Sequence, residues 1–390
     1  MRNTVYLDHA ATTPVRAEVL EAMLPYFGAS FGNPSSAHRF GRAARAGLEQ
    51  ARRQVAQAVG AEPSQVIFTS GGTEADNLAI IGTALAARDR GESMRVVTVA
   101  TEHKAILAAT HQVVKLGGSE AILPVGGSGL VDLGEFERAL GDHPAIVSVM
   151  WVNNETGVRQ PVEAIATRCA EAEVPFHSDA VQAFGKIALS LADTPCTFLT
   201  LSGHKVGAPK GVGALIVRHR KAVDAIIHGG GQQFGIRPGT ENVAGAVALG
   251  CAAELAAQEV GTESTRLAAL RDALAAALRA VVPDLVVNGA GAPRGPHVLN
   301  VAVPGGDNEA LLMHLDLAGI AASGGSACST GAREPSHVLV AMGLQRNVAL
   351  GSVRFSLGHE TTEQDTARLV AVFPGVVEKV RQLAAVLGRA

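Results

Sequence analysis

"FLTLSGHKVGAPKGVGALIVR", residues 198–218, holds two apolar runs joined by a glycine-rich turn. The runs "FLTLSG" (198–203) and "GALIVR" (213–218) are nearly continuous in apolar residues, as strands covered on both faces must be. Similar runs recur upstream: "VIFTS" (66–70), "RVVTVA" (95–100), "AIVSVMWVN" (145–153) and "PFHSDA" (175–180). Helical stretches alternate with them. In "AARAGLEQARRQVAQAVG", Ala44, Leu48, Ala51, Val55 and Val59 are spaced by three or four and form one apolar face. This alternation predicts an α/β domain built on a mostly parallel sheet.

The pattern changes near residue 260. "TESTRLAALRDALAAALRAVV" reads as a long amphipathic helix. After it come "LVVNG", "HVLNVAVPG", the helical "NEALLMHLDLAGI", a glycine- and serine-rich loop, "SVRFSLG" and a final helix from about Thr361. The expected organisation is a large α/β domain over 15–259 and a smaller α+β domain formed by 1–14 and 260–390. A cleft between two such domains is a favoured ligand site.

Composition narrows the function. The chain has 390 residues, 47% hydrophobic, enough for a large buried core. A formal net charge of −3 offers no basic field for nucleic acid. Apolar runs such as "AIVSVMWV" fall short of the roughly 20 residues of a membrane span. The start, "MRNTVYLDHAATTP", lacks the pattern of a secretion signal. Cys169, Cys196, Cys251 and Cys328 make no C-x-x-C pair and no metal-spaced cluster, so free thiols in a reducing cytoplasm are expected, with no resident metal.

Several predicted strand ends carry polar groups. Lys205 follows "FLTLS", with Ser202 and His204 beside it as possible phosphate ligands. A lone lysine there ordinarily reaches solvent, but a desolvated one can form a Schiff base. Pyridoxal phosphate needs such a lysine with phosphate ligands nearby. Asp179 ends "PFHSD"; it can serve as a helix cap or as the acid that keeps a pyridinium protonated, with Gln182 three residues on. "FTSGGTEADNLAI" is a strand, a glycine turn and a helix start, where Gly72 and Thr73 would offer donors to a phosphate. His103 in "TEHKAIL" could stack on a flat ring or be an ordinary polar residue, and Asn154 in "VNNETG" stands at another strand end. Ligands of open α/β sheets gather at the carboxyl ends of strands.

These stretches resemble the cysteine desulfurases of the class V aminotransferase-like pyridoxal phosphate enzymes. The matching segments span almost the whole chain: "YLDHAATTPV", "FGNPSS", "FTSGGTEADNLAI", "TEHKAIL", "VNNETG", "HSDAVQ", "SGHKVGAPKGVGAL", "GGGQQFGIRPGTENV", "SGGSACSTGAREPSHVL" and "SVRFSLG". The longer cysteine loop followed by "EPSHVL" is similar to the NifS/IscS-type group. The resemblance implies that Lys205 carries the cofactor, that Asp179 pairs with its ring nitrogen, and that Gln182 and Asn154 contact its phenolic oxygen. His103 would stack on the ring and move protons. Gly72, Thr73, Ser202 and His204 would bind the phosphate, and Thr240 would reach the phosphate site of the other subunit in a homodimer. Asn33 and Arg354 would hold the substrate carboxylate. The planar fork of Arg354 suits a carboxylate, with a structural ion pair within the apolar "SVRFSLG" as the alternative. "QQFG" before "IRPGT" departs from relatives that carry charged residues there.

The implied activity is removal of sulfur from L-cysteine, giving L-alanine and a persulfide on Cys328. Acceptors would be proteins of iron–sulfur cluster assembly, tRNA thiolation or cofactor synthesis. With a scaffold partner, Cys328 could also serve as a transient iron–sulfur ligand. The glycines of "GGSACSTGA" give the backbone freedom for a nucleophile that must both reach a substrate and hand sulfur on. The other three cysteines read as core packing. Competing readings are a class V aminotransferase, a selenocysteine lyase and a sulfur-relay scaffold without turnover.

Overall fold

The computed structural model describes residues 4–324 and 335–386. A seven-stranded sheet organises its first two thirds, in the spatial order Val66–Thr69, Gly213–Val217, Phe198–Ser202, Phe176–Asp179, Ile146–Ser148, Arg95–Val99, Ser119–Leu123. Gly213–Val217 runs antiparallel to both of its neighbours, and every other pairing is parallel. Both faces are covered. One face packs with Trp151, Phe176 and Leu199, the other with Ile67, Ile80 and Phe198. Burying a large apolar side chain contributes roughly 1.5–3 kcal/mol, so these two layers account for the continuous apolar strands.

Each upstream run read as a buried strand is one, with trimmed ends. "AIVSVMWVN" is regular strand only over Ile146–Ser148. Beyond it, Val149 and Trp151 still donate to the carbonyls of His177 and Asp179, at 3.1 and 2.9 Å. Ser119–Leu123 was not anticipated: it is an edge strand and only Leu123 is buried, so it lacks the apolar signature.

A second, antiparallel sheet joins Val286–Val287, Val298–Ala302 and Ser352–Ser356. The short strand Val5–Tyr6 pairs in parallel with Ile320–Ala321, which ties the start of the chain to its last third. Leu7, Leu299, Phe355 and Phe373 share the core under this sheet.

The helix expected to begin near residue 260 is longer than its pattern suggested. It runs unbroken from Val243 to Val281, 39 residues. Its length and apolar character would allow a membrane span, yet half of its apolar stretch is buried in the fold. A Cβ at Gly250 would come within 2.6 Å of the Cα of Ala51, so the helix crosses Arg39–Val59 at close range. Alanine and glycine make that approach possible, and they also hide the helix from a search for large apolar residues.

Candidate active site

The strands Val66–Thr69, Arg95–Val99, Ile146–Ser148, Phe176–Asp179 and Phe198–Ser202 point the same way, so their carboxyl ends share one edge of the sheet. A cavity of about 220 Å³ opens there, lined by Gly72, Thr73, Asp76, His103, Met150, Asn154, Asp179, Val181, Gln182, Ser202, His204, Lys205 and Ala10. Nine of the residues singled out in the sequence therefore meet in one place, delivered by the ends of five strands or by the turns that follow them.

Lys205 follows its strand by one short turn, Gly203–Lys205. Its Nζ donates to the carbonyls of Ala10 and Ala11 at 2.6 and 2.7 Å. The Gln182 Nε2 donates to the same Ala10 carbonyl at 2.9 Å, and its Oε1 pairs with His297 Nε2 at 3.0 Å. The segment around Ala10 thus forms one wall of the cavity, held by the residues expected to serve the cofactor.

Asp179 is buried, and its Oδ1 accepts from the Val181 N–H at 2.9 Å. Burial pushes its carboxyl up from the usual range, while His103 and Lys205 oppose the shift. His204 is pushed down to about 4, first by burial and then by Lys205 and Lys210, so its imidazole is neutral at pH 7. His103 caps the helix Lys104–Lys115: its Nδ1 accepts from the Ala105 N–H at 3.2 Å. That bond fixes the ring at the cavity and makes Nδ1 an acceptor.

On the opposite side, the helix Gly72–Asp89 begins at the cavity. Its first N–H groups and its dipole favour an anion. A Cβ at Gly72 would stand 3.0 Å from Val181 Cγ2, so a side chain there would crowd the wall. The turn carrying Asn154 is built by Asn153, which the sequence reading passed over. Asn153 Nδ2 donates to the Thr101 carbonyl at 2.8 Å, and its Oδ1 accepts from the N–H groups of Glu155 and Thr156, both at 2.9 Å.

Arg354 lies next to the cavity and does not line it. It is 3% exposed. Its Nη1 donates to the Asn154 carbonyl at 2.8 Å and its Nη2 to Asp8 Oδ1 at 2.7 Å, while Nε has no hydrogen-bond partner. The structural ion pair that the sequence left open is therefore present. Asn33 and Thr240 are exposed and outside this cavity; Asn33 Oδ1 accepts from the Ser35 N–H at 2.9 Å. Cys328 lies outside the described residues. The described chain on either side of it is tied to the site: Ser323 bridges to Arg354, Ser336 Oγ donates to Glu155, and His337 Nε2 donates to the Glu102 carbonyl at 2.9 Å.

Cys169 and Cys196 are buried and Cys251 partly so. Burial pushes the thiols of Cys169 and Cys196 up to about 12, which keeps them as unreactive thiols at pH 7. The departure "QQFG" has a structural use. Gln233 and Phe234 adopt left-handed backbone at φ 46° and 60°. That bend lets Gln233 Oε1 accept from the Phe68 N–H at 3.0 Å and from Arg52 Nη1 at 3.2 Å. Arg237 is paired with Glu74, at 2.6 Å, in the first turn of the helix that starts at Gly72.

Asp76, Met150 and Ala10 also line the cavity without having been singled out. Asp76 sits on a helix where an acid normally faces water, and Ala10 contributes only its carbonyl, which no side-chain pattern reveals.

Comparison with known proteins agrees with this geometry. Residues 5–369 match the family model "Aminotransferase class-V". The chain belongs to this family. It is 42% identical over 383 residues to the cysteine desulfurase IscS of Dictyoglomus turgidum, covering 98% of this chain and 97% of that one. Among solved structures, a NifS-like protein superposes with a TM-score of 0.87 at 33% identity, covering 98% and 99% of the two chains. The structure described as SspA in complex with cysteine gives 0.78 at 33% identity, covering 91% and 99%. Within its family, the chain is a member of the NifS/IscS-type cysteine desulfurases.

Proposed function

We propose that this chain converts L-cysteine to L-alanine and keeps the sulfur as a persulfide on Cys328, for delivery to an acceptor protein. The observation that carries the reading is the convergence of Lys205, Asp179, His103, Gln182 and Asn154 on one cavity beside a helix N-terminus. Those groups fit pyridoxal phosphate: an amine for its aldehyde, a buried acid for its ring nitrogen, and donors for its phosphate. When bound, that cofactor supplies an electron sink for the α-carbon of an amino acid.

The chain's own residues divide the remaining tasks. Lys205 would hold the cofactor through its Nζ, and the same amine, when free, would take the proton from the substrate α-carbon. Asp179 would serve the ring nitrogen. Gly72, Thr73, Ser202 and His204 would hold the phosphate. Arg354 and Asn33 hold the substrate carboxylate. The Cys328 thiolate attacks the substrate sulfur; an S–S bond forms, the substrate C–S bond breaks, and the carbon takes up a proton to become the methyl of alanine. The thiol and cysteine together supply every atom of the persulfide and alanine, so no external oxidant is needed.

Thr240, exposed in the single chain, is assigned to the cofactor phosphate of a second copy, and the active species is a homodimer. The large domain comprises 15–259, and 1–14 with 260–390 form the small one. The acceptor is a scaffold of iron–sulfur cluster assembly or a protein of tRNA thiolation, in the cytoplasm. The test is incubation of the pyridoxal phosphate-loaded chain with L-cysteine. One alanine per sulfur transferred is expected, with a single-sulfur mass gain on the peptide containing Cys328. Formation of a keto acid without sulfide would replace this reading with an aminotransferase.

A further inference from the structure

Two buried carboxyl groups line the cavity, Asp76 at 2% exposure and Asp179 at 6%, and a third, Glu102 at 0%, is buried against the backbone of the lining residue Met150. A carboxylate oxygen of Asp76, one of Asp179 and a ring nitrogen of His103 lie within 4.8 Å of one another. Asp179 has a backbone donor in Val181 and faces His103 and Lys205. Asp76 and Glu102 are placed differently. Asp76 Oδ1 and Glu102 Oε2 have no hydrogen-bond partner, and Glu102 Oε1 accepts only from the Met150 N–H, at 2.7 Å.

The titratable groups facing this cluster are His103, Lys205 and, from within the sheet, His177. The His177 ring nitrogen nearest Asp76 is 3.7 Å from Oδ1. That ring is fully buried between the hydroxyls of Ser148 and Thr200, at 2.8 and 2.9 Å, so it is neutral and offers Asp76 no charge. Two ionised carboxylates at the Asp76–Asp179 spacing, with a third buried nearby, would repel one another strongly.

We infer that Asp76 and Glu102 are held as neutral carboxylic acids behind an ionised Asp179, so that the floor presents a single negative charge to the cofactor's ring nitrogen. This rests on the proposed cofactor reading and assigns the protonation state of two acids beside that site. Burial and the neighbouring acids push both carboxyls well above the usual range, against the opposing hydrogen bonds from Thr200 to Asp76 and from the Met150 N–H to Glu102. A neutral Asp76 also has an O–H to donate toward Asp179 or Thr200, which a carboxylate does not.

The experiment combines infrared spectroscopy with cofactor titration. The wild-type chain, with and without pyridoxal phosphate, should show two buried carboxylic-acid C=O bands at pH 8. Asp76→Asn and Glu102→Gln should each remove one band. Glu102→Gln, outside the cavity lining, should bind pyridoxal phosphate within about threefold of wild type and keep its absorbance maximum, whereas Asp179→Asn should weaken binding more than tenfold. Absence of the bands from the wild type overturns the inference and requires no variant to fold. A tenfold loss of affinity in Glu102→Gln, with circular dichroism unchanged, also overturns it. If the wild type fails to bind pyridoxal phosphate, the cofactor reading falls, and the bands of the cofactor-free chain still decide the protonation state.

Discussion

Arg354 and Ser323 are joined backbone to backbone. The Arg354 N–H donates to the Ser323 carbonyl at 2.7 Å, and the Ser323 N–H to the Arg354 carbonyl at 3.3 Å. Ser323 begins the "SGGSAC" stretch. The arginine proposed to hold the substrate carboxylate is therefore fixed to the start of the segment that carries the proposed nucleophile. On the far side, His337 is fixed to the carbonyl of Glu102, next to His103.

Replacing Lys205 by alanine should remove the visible absorbance of lysine-bound pyridoxal phosphate and abolish alanine formation. The reason is chemical: no other amine lines the cavity among the described residues. Absorption spectroscopy of the purified variant checks it, and a retained band would assign the cofactor to another lysine.

Arg354→Lys should raise KM for cysteine at least about tenfold, with kcat changed less than about threefold. A lysine keeps the charge but loses the planar fork that two oxygen ligands require. It also has one nitrogen where Arg354 uses two, Nη1 on the Asn154 carbonyl and Nη2 on Asp8. Steady-state kinetics separates the two parameters; an unchanged KM would leave Arg354 as a purely structural partner of Asp8.

Much of this site was legible because its residues sit at the ends of buried strands, where apolar runs stop abruptly at Asp179, Ser202 or Thr69. The strand order was less accessible, since the antiparallel insertion of Gly213–Val217 leaves no mark in the apolar pattern. Asp76 was hidden by its helix, and the Ala10 carbonyl by having no side-chain signature. The tie between Arg354 and Asp8 joins residues far apart in the chain and could be stated only as an alternative. Small residues concealed the true start of the helix Val243–Val281, because alanine faces give little periodic contrast.

His177 should make the fold sensitive to acid. Burial pushes its pKa down to about 3 from the ordinary 6.5. As pH falls below about 6.5 the unfolded chain takes up a proton that the folded chain refuses, so this group lowers stability progressively until about pH 3. The slope is about 1.4 kcal/mol per pH unit for one such proton. Urea midpoints of wild type and His177→Asn, compared between pH 7 and 5, should converge as pH falls. A constant difference would mean that His177 is protonated in the folded state.

Thr240→Ala should weaken pyridoxal phosphate binding although Thr240 is outside the cavity of its own chain. The expected loss is at least about tenfold, the scale of one hydrogen bond to a charged phosphate. Sedimentation should show a dimer for both proteins. A fully active monomer at assay concentration would remove the shared site.

Cys328→Ser separates cofactor chemistry from sulfur transfer. Serine has a similar volume, but its hydroxyl is a far weaker nucleophile at neutral pH. Lys205, Asp179 and the phosphate ligands belong to other segments, so pyridoxal phosphate should bind as in wild type. Cysteine should still change the absorbance, since that step needs Lys205 and the carboxylate ligands alone. Sulfur removal should then stop, with alanine formation slowed at least about a thousandfold, equivalent to about 4 kcal/mol of barrier. Cys169 and Cys196 should not substitute, because burial keeps both thiols protonated and neither lines the cavity. Rapid-mixing spectroscopy follows the first step and mass spectrometry the persulfide. Alanine production at the wild-type rate, or a persulfide on another cysteine, would show that the nucleophile is not Cys328 and that the ties at Ser323 and His337 serve some other end.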